Sequence, residues 1–522
     1  PEKILKDAAV QVEQAWKKIA DEVLKKLEEK ATVDNDTRLI WKRQVNGFWE
    51  VAWVIGGDGS ALDQRKNFRT YCINDEPGEK CTICGERQAL SAGNNDGAAT
   101  IKEWWRKVAN TFNGERGYHF LPDGKERLCA VCFIKRVFPL VSKEAIGWDV
   151  YKNYPSTAYM SAVDWLKTML ENATKNVNTA EALEKFINEA ESLDVAFDEI
   201  FSNITSVSKL LGANKKWLPI SKFRGDVFFT HSILNKANFT IKGNDNDDDR
   251  KKLKKLLEEL IGATGAKPTP FYAILLMDGD NMGKILAENA AGKSVVTDAL
   301  AAFTNSTQRI VEQEYDGKLI YAGGDDVLAM LPLTTALRCA KELNCSYLTA
   351  FGGKIKGATI SAAIVYAHMH TALGAVIKDA HSLLNDFSKK ELGRNAFGVR
   401  VWKRGGPILT YGKKLNDGKD WVAGITEVKD DLDARRFAEG FIYRFEELLP
   451  ILNAVPDNEQ QMQLLVAEYL KSRDKLGLPD DAVAKRAEAE KRILRLMDVA
   501  RMNNGYSQDG LLFVRFLHKK EV

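Results

Sequence analysis

The chain has 522 residues, 45% hydrophobic and 28% charged, with a net charge of +3 and a pI near 8.3. That length exceeds what one hydrophobic core supports, so about three or four domains are expected. The composition excludes disordered and fibrous proteins, and so mild a charge does not mark a nucleic-acid binder; any basic surface must be local. No run of about 18 apolar residues free of charge occurs, which excludes a membrane-spanning helix. The opening residues Pro1-Glu2-Lys3-Ile4-Leu5-Lys6 lack the apolar core of a signal peptide, which places the chain in the cytoplasm. The start at Pro1, without a methionine, points to a fragment or processed form.

Residues 2–30 carry Ile4, Ala8, Val12, Trp16, Ile19 and Val23 at helical spacing, an amphipathic helix. The aromatic and β-branched run from Gly47 to Ile55 reads as a buried strand stopped by Gly56-Gly57-Asp58-Gly59, with helix returning over Ala61 to Arg69. Two cysteine pairs then enclose a stretch holding Ala92-Gly93-Asn94-Asn95-Asp96-Gly97, which reads as an insertion. Helical periodicity runs from Tyr159 to about Leu211, an acidic break lies near 243–250, and a further helix covers Lys251 to Ile261. Three apolar strands follow at Phe271–Met277, Leu319–Ala322 continuing past a turn as Val327–Leu331, and Thr359–Tyr366; a helix covers about Thr371 to Lys390. Strands alternating with helices around a central hairpin predict an α+β, ferredoxin-like sheet. From Asp430 onward the pattern is almost wholly helical.

The strand ending at Met277 delivers Asp278-Gly279-Asp280-Asn281, and the hairpin Tyr321-Ala322-Gly323-Gly324-Asp325-Asp326 presents two acids at its tip. If the strands are neighbours, Asp278, Asp325 and Asp326 converge, and three carboxylates tolerate that proximity only with cations among them. Hard Mg²⁺ or Mn²⁺ ions want oxygen ligands, and two such ions can activate an attacking hydroxyl and stabilise a leaving pyrophosphate. Gly279, Asn281, Gly323 and Gly324 are candidate nucleotide contacts, since glycines let the backbone approach phosphate oxygens. Glycine and aspartate are also the usual residues of a solvated hairpin turn, and either turn alone would be read that way. Lys390 and Arg394, four apart at the end of the helix after the third strand, can hold a triphosphate or merely cap the helix C-terminus.

Of seven cysteines, four form two Cys-x-x-Cys pairs, Cys81/Cys84 and Cys129/Cys132. Two such knuckles complete a tetrahedral Zn²⁺ site. The 44 residues between Cys84 and Cys129 make the intervening segment an insertion. A redox dithiol or buried free thiols are the alternatives, but a redox motif would not be expected twice. Cys72 and His119 are possible substitute ligands, and Cys339 and Cys345 read as core thiols.

With these motifs in view, the region resembles the palm domain shared by diguanylate cyclases and the large subunit of type III CRISPR effector complexes. The Lys-x-x-Gly-Arg-Asn helix end of the cyclases is met at Lys390 to Asn395. The III-B (Cmr) branch is the closer match, through Met277–Gly283, Gly323-Gly324-Asp325-Asp326, Gly393-Arg394-Asn395-Ala396 and Lys403-Arg404-Gly405-Gly406. Upstream, Arg65–Arg69, Lys80–Gly85 and Leu128–Cys132 extend it.

The resemblance implies two ferredoxin-like palm domains with a zinc-binding insertion and two helical domains. These are a degenerate palm at 1–160 carrying the zinc module at 72–136, a helical domain at 161–267, a catalytic palm at 268–425 and a C-terminal helical domain at 426–522. It implies ATP as substrate, cyclic oligoadenylate as product, and guide RNA, target RNA and other subunits of the complex as partners. Asp278, Asp325 and Asp326 would be catalytic metal ligands, and Lys390 and Arg394 triphosphate contacts. Many members carry a nuclease domain with a His-Asp motif; none of the six histidines here precedes an aspartate, so no nuclease is assigned, the domain being naturally missing or trimmed. Gly57-Asp58-Gly59 would belong to the silent first palm. Arg65, Lys66 and Arg69, Lys135-Arg136 and Lys403-Arg404 would contact RNA phosphates or be solvated surface; Trp104-Trp105 would stack on bases or sit in the core. A nucleotide-binding scaffold without turnover is the alternative from another class. A free-standing diguanylate cyclase is disfavoured by the zinc module and helical domains.

Overall fold

The computed structural model describes residues 2–46, 48–55, 75–91, 97–112, 124–150, 154–193, 204–236, 241, 246–288, 293–353, 355, 357–403, 405–415, 418–472, 477–502 and 505–520. Two compact units are present, Pro1–Asn153 and Tyr154–Val522.

The first unit is built on helices α1 (Glu2–Lys30), α2 (Asn35–Asn46), α3 (Ala98–Phe112) and α4 (Ala130–Ile146). Ala20, Val23 and Leu27 of α1 recur at three- and four-residue spacing and pack with Trp41, Trp105, Phe112 and Phe133 in one core. Trp105 is therefore a core residue, with its Nε1 donating to Leu90 O at 3.1 Å. Residues 48–55 do not form the expected strand: Phe48 stacks on Trp16 at 4.7 Å, and Trp49 and Ile55 are exposed. A strand needs a neighbour to take its backbone groups. Among the described residues this unit holds only the isolated bridge Lys80–Gln88, so no second palm sheet is seen there. The helix expected at Ala61–Arg69 and the Gly57-Asp58-Gly59 turn lie outside the described residues.

In the second unit the helical stretch resolves into α5 (Thr157–Ala173), α6 (Val177–Ser192), α7 (Thr205–Ala213) and α8 (Asp247–Thr264). The acidic break supplies the start of α8: Asn246 caps it by accepting from Asp249 N at 2.8 Å, and Asp247, Asp248 and Asp249 fill the first turn. The palm follows as β1 (Phe271–Gly279), α9 (Met282–Glu288), α10 (Lys293–Gln308), β2 (Lys318–Gly323), β3 (Asp326–Pro332), α11 (Ala336–Phe351) and β4 (Ile360–His368). Next come α12 (Leu373–Ser382), continued by wide helical turns over Leu383–Glu391, and the hairpin β5 (Ala396–Lys403) and β6 (Gly406–Lys414). The six-stranded sheet runs β2-β3-β1-β4-β5-β6, antiparallel except for β4–β5. Its first four strands have the ferredoxin-like order. The hairpin β5–β6 was not expected from the sequence.

Both faces of this sheet are covered. Ala273, Leu275, Met277, Ile364 and Tyr366 share one core with α10, α11 and the C-terminal helices α13 (Trp421–Asp433), α14 (Glu439–Ala454), α15 (Asn458–Lys471), α16 (Ala482–Ala500) and α17 (Gln508–Lys519). Tyr272, Ile274, Ala363 and Val365 face the other core with α5 to α8 and α12. Burial on both sides explains why β1 and β4 read as unbroken apolar runs. No helix among the described residues is long and apolar enough to cross a membrane. If both faces carry load, Ile274→Ala and Leu275→Ala each lower stability by about 2–5 kcal/mol in urea unfolding; a sheet with one wet face would show the loss at only one of the two.

Candidate functional site

The register of β1 against its neighbours builds the acidic centre. Met277 lies opposite Val327 on β3 and Asp278 opposite Ser361 on β4, so the hairpin tip sits beside the C-terminal end of β1. Gly324 takes φ +64° at the first central position of the two-residue turn, a conformation glycine adopts without cost. Thr304 of α10 supports the turn, donating to Gly324 O at 3.3 Å. One carboxylate oxygen each from Asp278, Asp325 and Asp326 lie within 4.8 Å of one another. The approach depends on Gly279: a Cβ there would lie 2.6 Å from Asp325 Oδ2 and 2.9 Å from Tyr347 Oη.

A fourth acid organises the centre from below. Asp280 is fully buried and accepts from Thr359 Oγ1 at 2.8 Å, Ser361 Oγ at 2.8 Å and Asn395 N at 2.9 Å. It ties the end of β1 to the start of β4 and to the loop after the wide turns. In that loop Gly393, Arg394 and Asn395 all take left-handed φ, so the helix ends before Arg394 and does not align it with Lys390 on one face. Lys390 and Arg394 are exposed. Lys389 is the lysine that reaches the centre, pairing with Asp278 and donating to Gly279 O at 3.1 Å. Asn281 is exposed at φ +57°, just before α9.

The electrostatics are those of carboxylates crowded out of water. Burial, then the charge of Asp326, raises the Asp325 carboxyl above its ordinary range, and burial raises Asp326 although His381 acts the other way. Burial, followed by the charge on Arg394, lowers the Lys389 ammonium to about 8, while its ion pair with Asp278 acts in the opposite sense. The donor set is all oxygen, clustered and short of positive charge, which fits hard divalent cations.

In the first unit the four cysteines meet as the spacing implied. The Sγ atoms of Cys81, Cys84, Cys129 and Cys132 lie within 4.8 Å of one another. Gly85, at φ +69°, closes the first knuckle with its N–H on Cys81 O at 2.9 Å, and Cys129 caps α4 by accepting from Cys132 N at 3.4 Å. Backbone bonds from Thr82 N to Arg127 O and Leu90 N to Leu128 O, both 2.8 Å, hold the knuckles together. Thiols this close limit one another's ionisation: hydrogen bonds from Cys129 and Cys132 pull Cys81 down, and those with Cys132 and Cys81 push Cys129 up. A dication would lift that limit, and four thiolates suit Zn²⁺.

The remaining sequence candidates scatter. Cys72, His119, Arg65, Lys66, Arg69 and Arg404 lie outside the described residues. Lys135 sits over the Phe48 ring at 5.5 Å, and Arg136 pairs with Glu126 at 3.1 Å. Trp104 is half-buried and donates to Thr32 O at 2.8 Å. Cys339 is buried as expected, but Cys345 is exposed, because it falls on the opposite side of α11 from Leu343 and Tyr347.

A ferredoxin-ordered sheet with a Gly-Gly-Asp-Asp hairpin beside Asp278 is the arrangement that the similar proteins share in the matched region. Residues 271–398 match the second palm domain of Cas10/Cmr2. The CRISPR system Cmr subunit Cmr2 of Pyrococcus furiosus is 25% identical over 362 residues, which cover 63% of this chain and 36% of that relative. The aligned part thus spans little more than a third of the Cmr2 relative. A chain of Type III-B Cmr-beta in the apo state matches with a TM-score of 0.54 at 14% identity, over 93% of this chain and 67% of that one. Type III-B Cmr-beta bound to cognate target RNA matches with a TM-score of 0.50 at 16% identity, over 81% of this chain and 56% of that one. At those identities the structural likeness establishes the Cmr fold alone.

Four outcomes follow from the two centres. Gly279→Ala displaces Asp325 and weakens Mn²⁺ binding about tenfold in a calorimetric titration, with melting little changed because β1 keeps its backbone conformation. Because Asp325 and Asp326 are raised, protons compete with the ion at higher pH than for ordinary aspartates, so Mn²⁺ affinity falls as pH drops through their range. Without an ion the same shifts favour the protonated fold, so stability declines as pH rises through that range. Cys81→Ser or Cys132→Ser chains lose their zinc by atomic absorption, and the melting transition of residues 1–153 moves down.

Proposed function

We propose that this chain is the palm-bearing large subunit of a type III-B RNA-guided effector complex. In this reading it binds ATP with divalent metal ions and makes cyclic oligoadenylate when target RNA is bound. The observation that carries the reading is the convergence of Asp278, Asp325 and Asp326 on one locus at the end of β1. Each step joins a 3′-hydroxyl oxygen to the α-phosphorus of an ATP, with the hydroxyl proton lost and pyrophosphate leaving. The residues fit two Mg²⁺ or Mn²⁺ ions, which would supply activation of the hydroxyl and charge stabilisation of the leaving group. Gly324, where a Cβ would meet nothing within 4 Å, leaves the backbone open beside the acids for a triphosphate to approach, while the space at Gly279 is taken by Asp325 and Tyr347 and that at Gly323 by Tyr321. Lys389 would be displaced from Asp278 toward phosphate oxygens, while Lys390 and Arg394 would meet the outer phosphates from the solvent side. Tyr347, packed under Gly279 with its hydroxyl on Met282 Sδ at 3.3 Å, keeps water from beneath the centre.

The partners would be the other subunits of the complex, the guide RNA and the target RNA, and the cysteine cluster would hold a structural Zn²⁺. The assembled complex, incubated with guide RNA, target RNA, labelled ATP and Mg²⁺, is expected to yield cyclic oligoadenylate. The Asp325→Ala, Asp326→Ala double variant should fall by at least about a hundredfold. Nucleotide binding without any product would favour the scaffold reading, and equal product from the double variant would sink the metal assignment.

A further inference from the structure

Two residues before the Gly-Gly-Asp-Asp tip, the hairpin carries an aromatic ring to which the acidic centre gives no role. Tyr321 is 55% exposed, although it stands on β2 between the half-buried Ile320 and Ala322. A slip in the β2–β3 register explains this. Leu319 lies opposite Ala329 and Tyr321 opposite Leu328, so Ile320 is the extra residue of a bulge. Leu319 packs on the core that α10 and α11 share, and unbroken alternation would send Tyr321 to that same buried face. The bulge turns it over, to the face on which Leu328 packs.

That face is also the face of the acids. Asp326 and Leu328 are two apart on β3, Asp278 and Leu276 two apart on β1, and both leucines pack on the same core. Asp326 is therefore the diagonal cross-strand neighbour of Tyr321, about 7–8 Å away between backbones and within reach of an aromatic side chain. The ring leans in that direction. A Cβ at Gly323 would collide with Tyr321 Oη and lie 2.7 Å from its Cζ, so the phenol runs along the strand toward the tip and over Gly323, which lies opposite Asp326. A glycine at 323 is what lets the ring lie there.

The space around the ring is open on the side that matters. β2 is an edge strand of the sheet, so no further strand of it lies beyond Tyr321. Thr304 of α10 holds the tip, donating to Gly324 O at 3.3 Å. We propose that Tyr321 is the platform on which the base of the bound nucleoside triphosphate stacks, an assignment that rests on reading the acidic centre as a nucleotide site. Ions held by Asp278, Asp325 and Asp326 fix the phosphate end, and the nucleoside extends from there over the edge strand. A ring beside a phosphate site adds affinity for a base whatever its hydrogen-bonding edge, because every base has a π-face.

The test compares two ligands by calorimetry on the full chain with Mn²⁺: the α,β-methylene analogue of ATP, and inorganic tripolyphosphate, which has the phosphates without the base. Tyr321→Ala is expected to weaken the analogue about tenfold and tripolyphosphate by less than about twofold, and Tyr321→Trp to bring the analogue back to within about threefold of the wild type. Gly323→Ala, which pushes the ring aside, should cost a similar factor alone and nothing further in the Tyr321→Ala chain. Equal affinity of the wild type and Tyr321→Ala for the analogue, or a parallel loss of both ligands, overturns the platform and leaves the acidic centre standing. A wild-type chain that does not bind the analogue overturns the nucleotide reading and the platform with it.

Discussion

Carboxylates of Asp278, Asp325 and Asp326 repel one another, and everything around them is arranged to hold them together until cations arrive. The hairpin cannot relax away, because β3 is stitched to β1 over Met277–Val327 and its tip rests directly on the Gly279 backbone. Nor can the end of β1 fray, since Asp280 collects three donors from β4 and the following loop. Covering the sheet on both faces makes this rigidity possible: apolar burial at both cores offsets the electrostatic cost of crowding the acids. Lys389 is part of the same logic, an internal cation paired with Asp278 at the edge of the cluster.

Much of this was legible in the sequence because the palm obeys local rules. Apolar runs bounded by turn residues marked β1 to β4, and glycines beside acids marked the centre. The cysteine spacing marked the knuckles. What was not legible depends on pairing. The run from Gly47 to Ile55 has the composition of a strand, yet composition cannot supply a neighbouring strand, and residues 48–55 form none. The β5–β6 hairpin is the converse: glycines at 398, 405, 406 and 412 and the charges Arg400 and Lys403 dilute its signal, and parallel pairing with β4 is what makes it a strand.

The choice between Lys389 and Lys390 shows a finer limit. Regular helical spacing aligned Lys390 with Arg394, but the wide turns over Leu383–Glu391 add backbone per turn and rotate the neighbouring lysine inward. Asp280 was passed over for the opposite reason. Sitting two residues from Asp278, just past the end of β1, it looks like a fourth ligand, and only its burial among hydroxyls shows that it braces the others.

The seal on the palm comes from far along the chain. Phe516 of α17 packs edge-on to Phe271 at 5.2 Å, and Thr269 Oγ1 donates to Lys520 O across 251 residues of sequence. During synthesis, therefore, the sheet that carries the acids emerges from the ribosome well before the helix that closes one of its faces. Until residue 519 has been made, the apolar side of β1 and β4 stays open and prone to wrong pairings. Nascent chains would need either sheltering over that interval or fast provisional collapse of α10 and α11, and the acidic centre gains its full support only once α17 docks.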